Sequence, residues 1–151
     1  GLLSIPLDEP MAENETDDLS DGVYFMQGLL ALTLFKIRKR TMQGRSAELD
    51  FVIKMFEYDI ASGSYRFESW LLLAQAYSYL VEDDIIWTSD KLNNVDKKRN
   101  TAILQRKSLL CYFMSISLFT RLSTERQEEL APVATMLWTS LGRELYNAVM
   151  S

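Results

Sequence analysis

The run Phe67-Glu68-Ser69-Trp70-Leu71-Leu72-Leu73-Ala74-Gln75-Ala76-Tyr77 decides the fold of this chain, together with Leu104-Gln105-Arg106-Lys107-Ser108-Leu109-Leu110-Cys111-Tyr112-Phe113-Met114-Ser115. In the first run Trp70 is followed by Leu73, then by the small Ala74, then by the aromatic Tyr77. In the second, Ser108, Tyr112 and Ser115 place small, aromatic and small residues in turn. Steps of three and four put each set on one face of a helix. Small residues let two helix backbones approach, and an aromatic ring fills the gap between them. The two runs therefore predict an antiparallel helical hairpin, with Trp70 and Tyr112 packed in its core against each other's helices.

The spacing of Trp70, Leu73, Ala74 and Tyr77 is that of the tetratricopeptide repeat. Trp138, Leu141, Gly142 and Leu145 repeat it, and Tyr24, Gly28 and Ala31 give a reduced form. Phe56 stands fourteen residues before Trp70, the step from the second helix of one repeat to the Trp of the next. The sites at 24, 70 and 138 are 46 and 68 residues apart, against a regular period of about 34. The reading is an all-α fold: degenerate, insertion-bearing tetratricopeptide-like antiparallel hairpins forming a segment of an α-solenoid. A regular helical bundle is the alternative. On this reading the chain is a fragment of a longer one and ends on the first helix of a third repeat.

Outward from that core, apolar periodicity predicts helices near 21–41, 47–61, 66–86, 101–121 and 124–149, within a repeat domain over 20–151. Ser20 or Asp21 is the expected N-cap of the first helix, which is apolar almost all round and so expected between neighbours on both sides. Lys36, Arg38, Lys39 and Arg40 sit where cations suit a helix C-terminus. Gln43-Gly44-Arg45-Ser46 reads as the turn, and Phe51, Ile53, Phe56 and Ile60 as the buried positions of the second helix. Asp90 to Asn100 reads as a polar surface loop. Thr124 with Gln127 fits a capping box, and Pro132 either kinks the last helix or opens a new one.

Composition bounds the function. The 151 residues amount to one domain, and 48% apolar content is ample for a core. No apolar run reaches membrane-spanning length. The single Cys111 permits no internal disulfide and reads as a small core residue. The chain has no histidine, the commonest general base and metal ligand. Residues 1–21 hold seven acids and no base, leaving fourteen acids and sixteen bases for the rest. Residues 1–19, with Pro6 and Pro10, therefore read as an acidic linker or tail, and the folded part as nearly neutral. Net charge of −5 argues against direct nucleic-acid binding. Glu82-Asp83-Asp84 is a carboxylate run with no converging partner, so neither catalysis nor metal binding is expected of it. At a helix C-terminus it would instead favour a basic partner or a fold-back of Lys91 and Lys97.

The stretch between the two runs is longer than a repeat turn. It holds Ile85, Ile86 and Trp87 beside Asp90, Lys91, Asn93 and Asn94. Loops longer than a turn are commonly functional, and Trp is enriched at interface hot spots. Trp87, Asp90, Lys91, Asn93 and Asn94 are accordingly the candidate partner-binding residues. The order Phe-Glu-Ser-Trp at 67–70, Trp-Thr-Ser-Asp-Lys-Leu-Asn-Asn at 87–94 and Leu-Gln-Arg-Lys-Ser-Leu-Leu-Cys-Tyr at 104–112 resembles the histone transcription regulator 3 family. These are large subunits of the fungal HIR histone chaperone complex, related to the animal calcineurin-binding protein cabin. The resemblance runs from Gly22 to Arg121 and is closest over Phe67–Ser115.

The resemblance implies a non-enzymatic scaffold in a nuclear complex that deposits H3–H4 outside replication and represses histone genes. Its expected partners are the other subunits, with histones H3–H4 reached indirectly; no cofactor, metal, membrane or small-molecule substrate is implied. A generic tetratricopeptide-type peptide-binding module is the alternative. Such a binder would expose Asn and Lys along its first helices, whereas these helices present mostly apolar and small residues. An enzyme would need a nucleophile, a base and an orienting group, and no such set is visible.

Overall fold

A computed structural model describes residues 22–41, 45–88 and 95–150, the side chains of 84–88 excepted. Among these residues the fold is all-α, without a strand: α1 (Val23–Arg40), α2 (Ser46–Ala61), α3 (Phe67–Thr88), α4 (Val95–Phe119), α5 (Thr124–Glu129) and α6 (Ala131–Met150). The chain divides into two compact units, one ending at Tyr65 and one beginning at Arg66. No helix of the described residues is long and apolar enough to cross a membrane.

The first unit is the hairpin of α1 and α2. Its N-cap is Gly22 rather than Ser20 or Asp21, at a φ of 87° that glycine adopts without a Cβ penalty. The helices run antiparallel: the Tyr24 and Tyr58 rings meet at 5.4 Å, and the Arg38 guanidinium lies 3.0 Å from Glu48 at the other end. Gly28 sits at the close approach. A Cβ there would stand 2.9 Å from Phe56 Cζ and 3.2 Å from Met55 Cβ. The buried face of α2 is Leu49, Val52, Ile53, Met55, Phe56 and Asp59. Phe51, expected inside, is 41% exposed. It lies about 100° round the helix from Val52, so its neighbour holds the core position. α1 buries Gly28, Leu32 and Phe35 but exposes Met26, Leu30, Leu34 and Ile37, so within its own unit and among the described residues it is covered on one side, where its composition suggested two.

The second unit is built on the hairpin of α3 and α4. Ser115 Oγ donates to the Phe67 carbonyl at 2.9 Å, and Ser108 Oγ to the Ala74 carbonyl at 3.1 Å. A hydroxyl reaches a neighbouring helix's backbone only where no bulk separates the two, so these serines mark the expected contact line. Their pairing, 115 with 67 and 108 with 74, makes the hairpin antiparallel. Phe67 and Phe119 close one end, ring centroids 5.2 Å apart. Leu71, Leu73, Ala74, Ala76 and Tyr77 are buried from α3, and Cys111, Tyr112, Ile116 and Phe119 from α4. Each large apolar side chain so buried contributes about 1.5–3 kcal/mol before conformational entropy is subtracted. α6 lays Leu137, Ser140 and Leu141 inward, against α4.

Several expectations need correction. Trp70 is half-buried while Phe67, Ser69 and Leu71 around it are buried, so Trp70 and Tyr112 do not share the core equally. Residues 95–100 are the opening turns of α4, not loop. Their polarity marks an exposed helix start, where Asp96 suits the dipole. α3 runs on to Thr88, which places Glu82 and Asp83 before the last turn, where the dipole penalty has faded. The predicted helix over 124–149 is two helices, divided at Leu130. Pro132 lies in the first turn of α6, where its missing N–H costs nothing. Ser123 is the N-cap of α5, accepting from Arg126 N at 3.1 Å. Gln127 does not close a capping box; its amide donates to the Thr120 and Leu122 carbonyls. The acidic segment 1–19 and the turn residues Gln43 and Gly44 lie outside the described residues.

Candidate functional site

Helix α3 is apolar on most sides, yet it carries Gln75, Ser78 and Glu82 at i, i+3 and i+7, which is one face. α4 turns Gln105 and Tyr112, seven apart, toward the same space. α6 closes it with Arg143, Glu144 and Asn147. These side chains line a cleft of about 700 Å³ inside the second unit.

The floor is a hydrogen-bonded network. Ser78 Oγ donates to Glu144 Oε1 at 3.0 Å and lies 2.8 Å from Ser108 Oγ. Each hydroxyl has one proton, directed by Ser78 to Glu144 and by Ser108 to the Ala74 carbonyl, so whichever serine donates to the other shares its proton between two acceptors. Tyr112 is 1% exposed and is hydrogen-bonded to Ser78 and Ser140. Burial pushes its hydroxyl above the ordinary tyrosine pKa, and the Glu144 charge adds to the rise. The bonds to Ser78 and Ser140 and the charge of Arg143 offset part of it. Beside the cleft, Gln75 Nε2 approaches Met136 Sδ at 3.8 Å, and Lys107 Nζ sits 5.6 Å from the Tyr77 ring centroid.

A buried phenol, a serine pair, carboxamides and carboxylates offer hydrogen-bond donors and acceptors to this space. Among the described residues no three His, Cys, Asp or Glu side chains converge as metal ligands.

The sequence singled out part of this site. Ser108 and Tyr112 lie in the floor; Ser115, Leu73, Ala74 and Tyr77 are buried in the same hairpin. Leu141 is buried, but Trp138 is 58% exposed and Gly142 faces open space, so the second signature closes no interface among the described residues. Asp90, Lys91, Asn93, Asn94 and the Trp87 side chain lie outside the described residues. Gln75, Ser78, Glu82, Gln105, Arg143, Glu144 and Asn147 were not foreseen. The available signal was the polar set at 75, 78 and 82 on an otherwise apolar helix, a pattern shared with any solvated face.

Comparison with known proteins gives the chain its family. The model of the HIR3 helical bundle domain matches residues 1–151. A histone transcription regulator 3 homolog of Candida albicans is 47% identical over 92% of the chain, and one of Debaryomyces hansenii 45% identical over 87%. One of Aspergillus fumigatus is 33% identical over 98%. The chain spans only 9%, 7% and 7% of the length of these three relatives. With the helical hairpins described above, these matches place the chain in the histone transcription regulator 3 family, through its HIR3 helical bundle domain.

Proposed function

We propose that this domain is a non-enzymatic scaffold segment of a nuclear histone H3–H4 chaperone complex, acting in replication-independent nucleosome assembly and histone gene repression. In this reading its hairpins belong to a longer α-solenoid. Its partners are other subunits of a HIR-type complex, and histones H3–H4 are reached through them. The relatives' description as histone transcription regulators supports the histone role and the nucleus as its place. The scaffold role rests on one observation: helices that present large apolar side chains outward, such as Met26 and Leu30 on α1 and Leu110 and Phe113 on α4. Large exposed apolar patches mark surfaces that interact with other molecules.

The run 87–94 is proposed as a contact read by another subunit, since it sets Trp87 beside Asp90, Lys91, Asn93 and Asn94. Affinity purification of the full-length protein, followed by mass spectrometry, tests both claims. Chaperone subunits should co-purify with the intact protein and be depleted when the domain is deleted. Joint replacement of Asp90, Lys91 and Asn94 by Ala should weaken the same set and leave the melting temperature within a few degrees. An unchanged partner list after the deletion would remove the scaffold reading; unfolding of the triple variant would make the run a structural brace.

A further inference from the structure

We propose that the outer face of α6, centred on Gly142, seats the next helix of the full-length protein, running antiparallel to α6 and bringing an aromatic ring over Gly142. Glycine inside a helix is disfavoured against alanine, so one in mid-helix calls for a close neighbour. Gly142 has none: among the described residues nothing comes within 4 Å of where its Cβ would stand. Around it Trp138, Leu145 and Val149 are exposed. Steps of four, three and four put these residues and Gly142 on one face. Leu137, Ser140 and Leu141, which α6 buries, are turned to another side of the helix.

The chain itself shows twice what covers such a position. Tyr24 with Gly28, Trp70 with Ala74 and Trp138 with Gly142 each set an aromatic four residues before a small residue. At Gly28 the covering helix is α2, whose Phe56 ring lies 2.9 Å from the Cβ position. At Ala74 it is α4, whose Ser108 donates to the Ala74 carbonyl at 3.1 Å. Each covering helix runs antiparallel to the one it covers and is the next in sequence, its contact residue 28 or 34 residues past the small one. Ala74 has a methyl of its own and meets a serine; Gly28 has none and meets a ring. Gly142 leaves the same gap as Gly28, so its occupant carries an aromatic, about 28–34 residues past Gly142 on the spacing of those two pairs. The relatives have room for such a helix, since the chain spans 9% or less of their lengths. This helix belongs to the longer solenoid proposed above, and its placement rests on that reading.

Hydroxyl-radical footprinting of the purified full-length protein, set against the chain of residues 1–151, tests it. Trp138 should be oxidised about fivefold more slowly in the full-length protein, because a close-packed helix contact excludes solvent. Gly142→Leu fills the gap. It should leave circular dichroism and melting of the chain 1–151 unchanged, and return Trp138 of the full-length protein to the oxidation rate of the shorter chain. With p-benzoylphenylalanine in place of Trp138, ultraviolet light should cross-link the full-length protein within its own chain, to the segment 28–34 residues past Gly142. Equal oxidation of Trp138 in the two chains would overturn the proposal. So would a cross-link to a second copy, to another protein or to a distant part of the same chain, or no cross-link at all. If Gly142→Leu unfolds the full-length protein, the cross-link decides alone. Loss of chaperone subunits on deletion of the domain is a separate result: the expected cross-link with no subunit lost would remove the chaperone role and keep this helix, and the reverse outcome would do the opposite.

Discussion

At Gly28 two opposed effects can be weighed. Glycine inside a helix costs about 1 kcal/mol relative to alanine, so its presence in α1 needs a compensating contact. The structure supplies it: a Cβ would press on the Phe56 ring at 2.9 Å and on Met55 Cβ at 3.2 Å. The Phe56 ring is fully buried and also meets Phe25 at a centroid distance of 6.0 Å, so it has little freedom to retreat. Gly28→Ala should therefore come out close to neutral in urea melts, helix propensity offsetting the crowding. Gly28→Val adds two methyls to the same gap and should destabilise by about 1–3 kcal/mol, the range for overpacked cores. A stabilised Gly28→Val would show that the helices can separate at no cost and that Gly28 is not the contact point. The serines of the second unit differ, because Ser108 and Ser115 are small and also donate across the hairpin. A glycine in their place would keep the approach and lose the bond.

Among the elements, α5 is the one that local chemistry must hold. It is six residues long with no buried residue, and helices this short are not stable by propensity. Ser123 caps it, and Gln127 ties it back to the Thr120 and Leu122 carbonyls at 3.1 and 2.8 Å. Ser123→Ala should cost about 0.5–2 kcal/mol of local stability. Hydrogen exchange at the Arg126 amide, which loses its acceptor, should quicken while exchange in α4 stays as it was. Unchanged exchange at Arg126 would mean that the Gln127 bonds alone hold the turn. This element also shows where the sequence stopped informing. Pro132 reads either as a kink or as the opening of a new helix, and nothing local chooses between them; the structure takes the second, with the break at Leu130. The same limit explains α4. Its polar opening at 95–100 reads as loop because composition reports exposure, and an exposed helix start has a loop's composition. Ser108, Tyr112 and Ser115 were legible because close helix contact demands small residues at fixed steps. Trp70 and Trp138 misled because the signature gives spacing but not how deeply an aromatic sits. The cleft was hidden because Gln105, Glu144 and Asn147 come from two helices that only tertiary packing brings together.

For the whole molecule, pH is the lever that reads the buried network. The chain has no histidine, so no side chain with an ordinary imidazole pKa titrates near neutrality, and stability should vary little there. The alkaline side differs. Tyr112 has its pKa raised in the fold, chiefly by burial. The folded state therefore keeps a proton that the unfolded chain loses near pH 10. That contribution is fully present below about pH 10 and is lost as pH rises through the higher folded value. In the first unit Tyr24 is shifted the same way by burial and by Tyr58, from a more exposed position. Lys36 opposes it there: burial lowers its pKa below 10.5. Its folded form gives up a proton first, so its penalty is relieved as pH climbs toward that value. The second unit shows no such offset among the shifts described. Tyr112→Phe should thus do two things. At pH 7 it should cost about 1–3 kcal/mol, because Ser78 and Ser140 lose a buried partner. Above pH 10 its stability should fall less steeply than the parent's, so that the two unfolding curves converge. Urea midpoints taken from pH 7 to pH 11 decide this. Parallel curves would mean that Tyr112 ionises as readily folded as unfolded, and the cleft floor would then be wetter than its 1% exposure indicates.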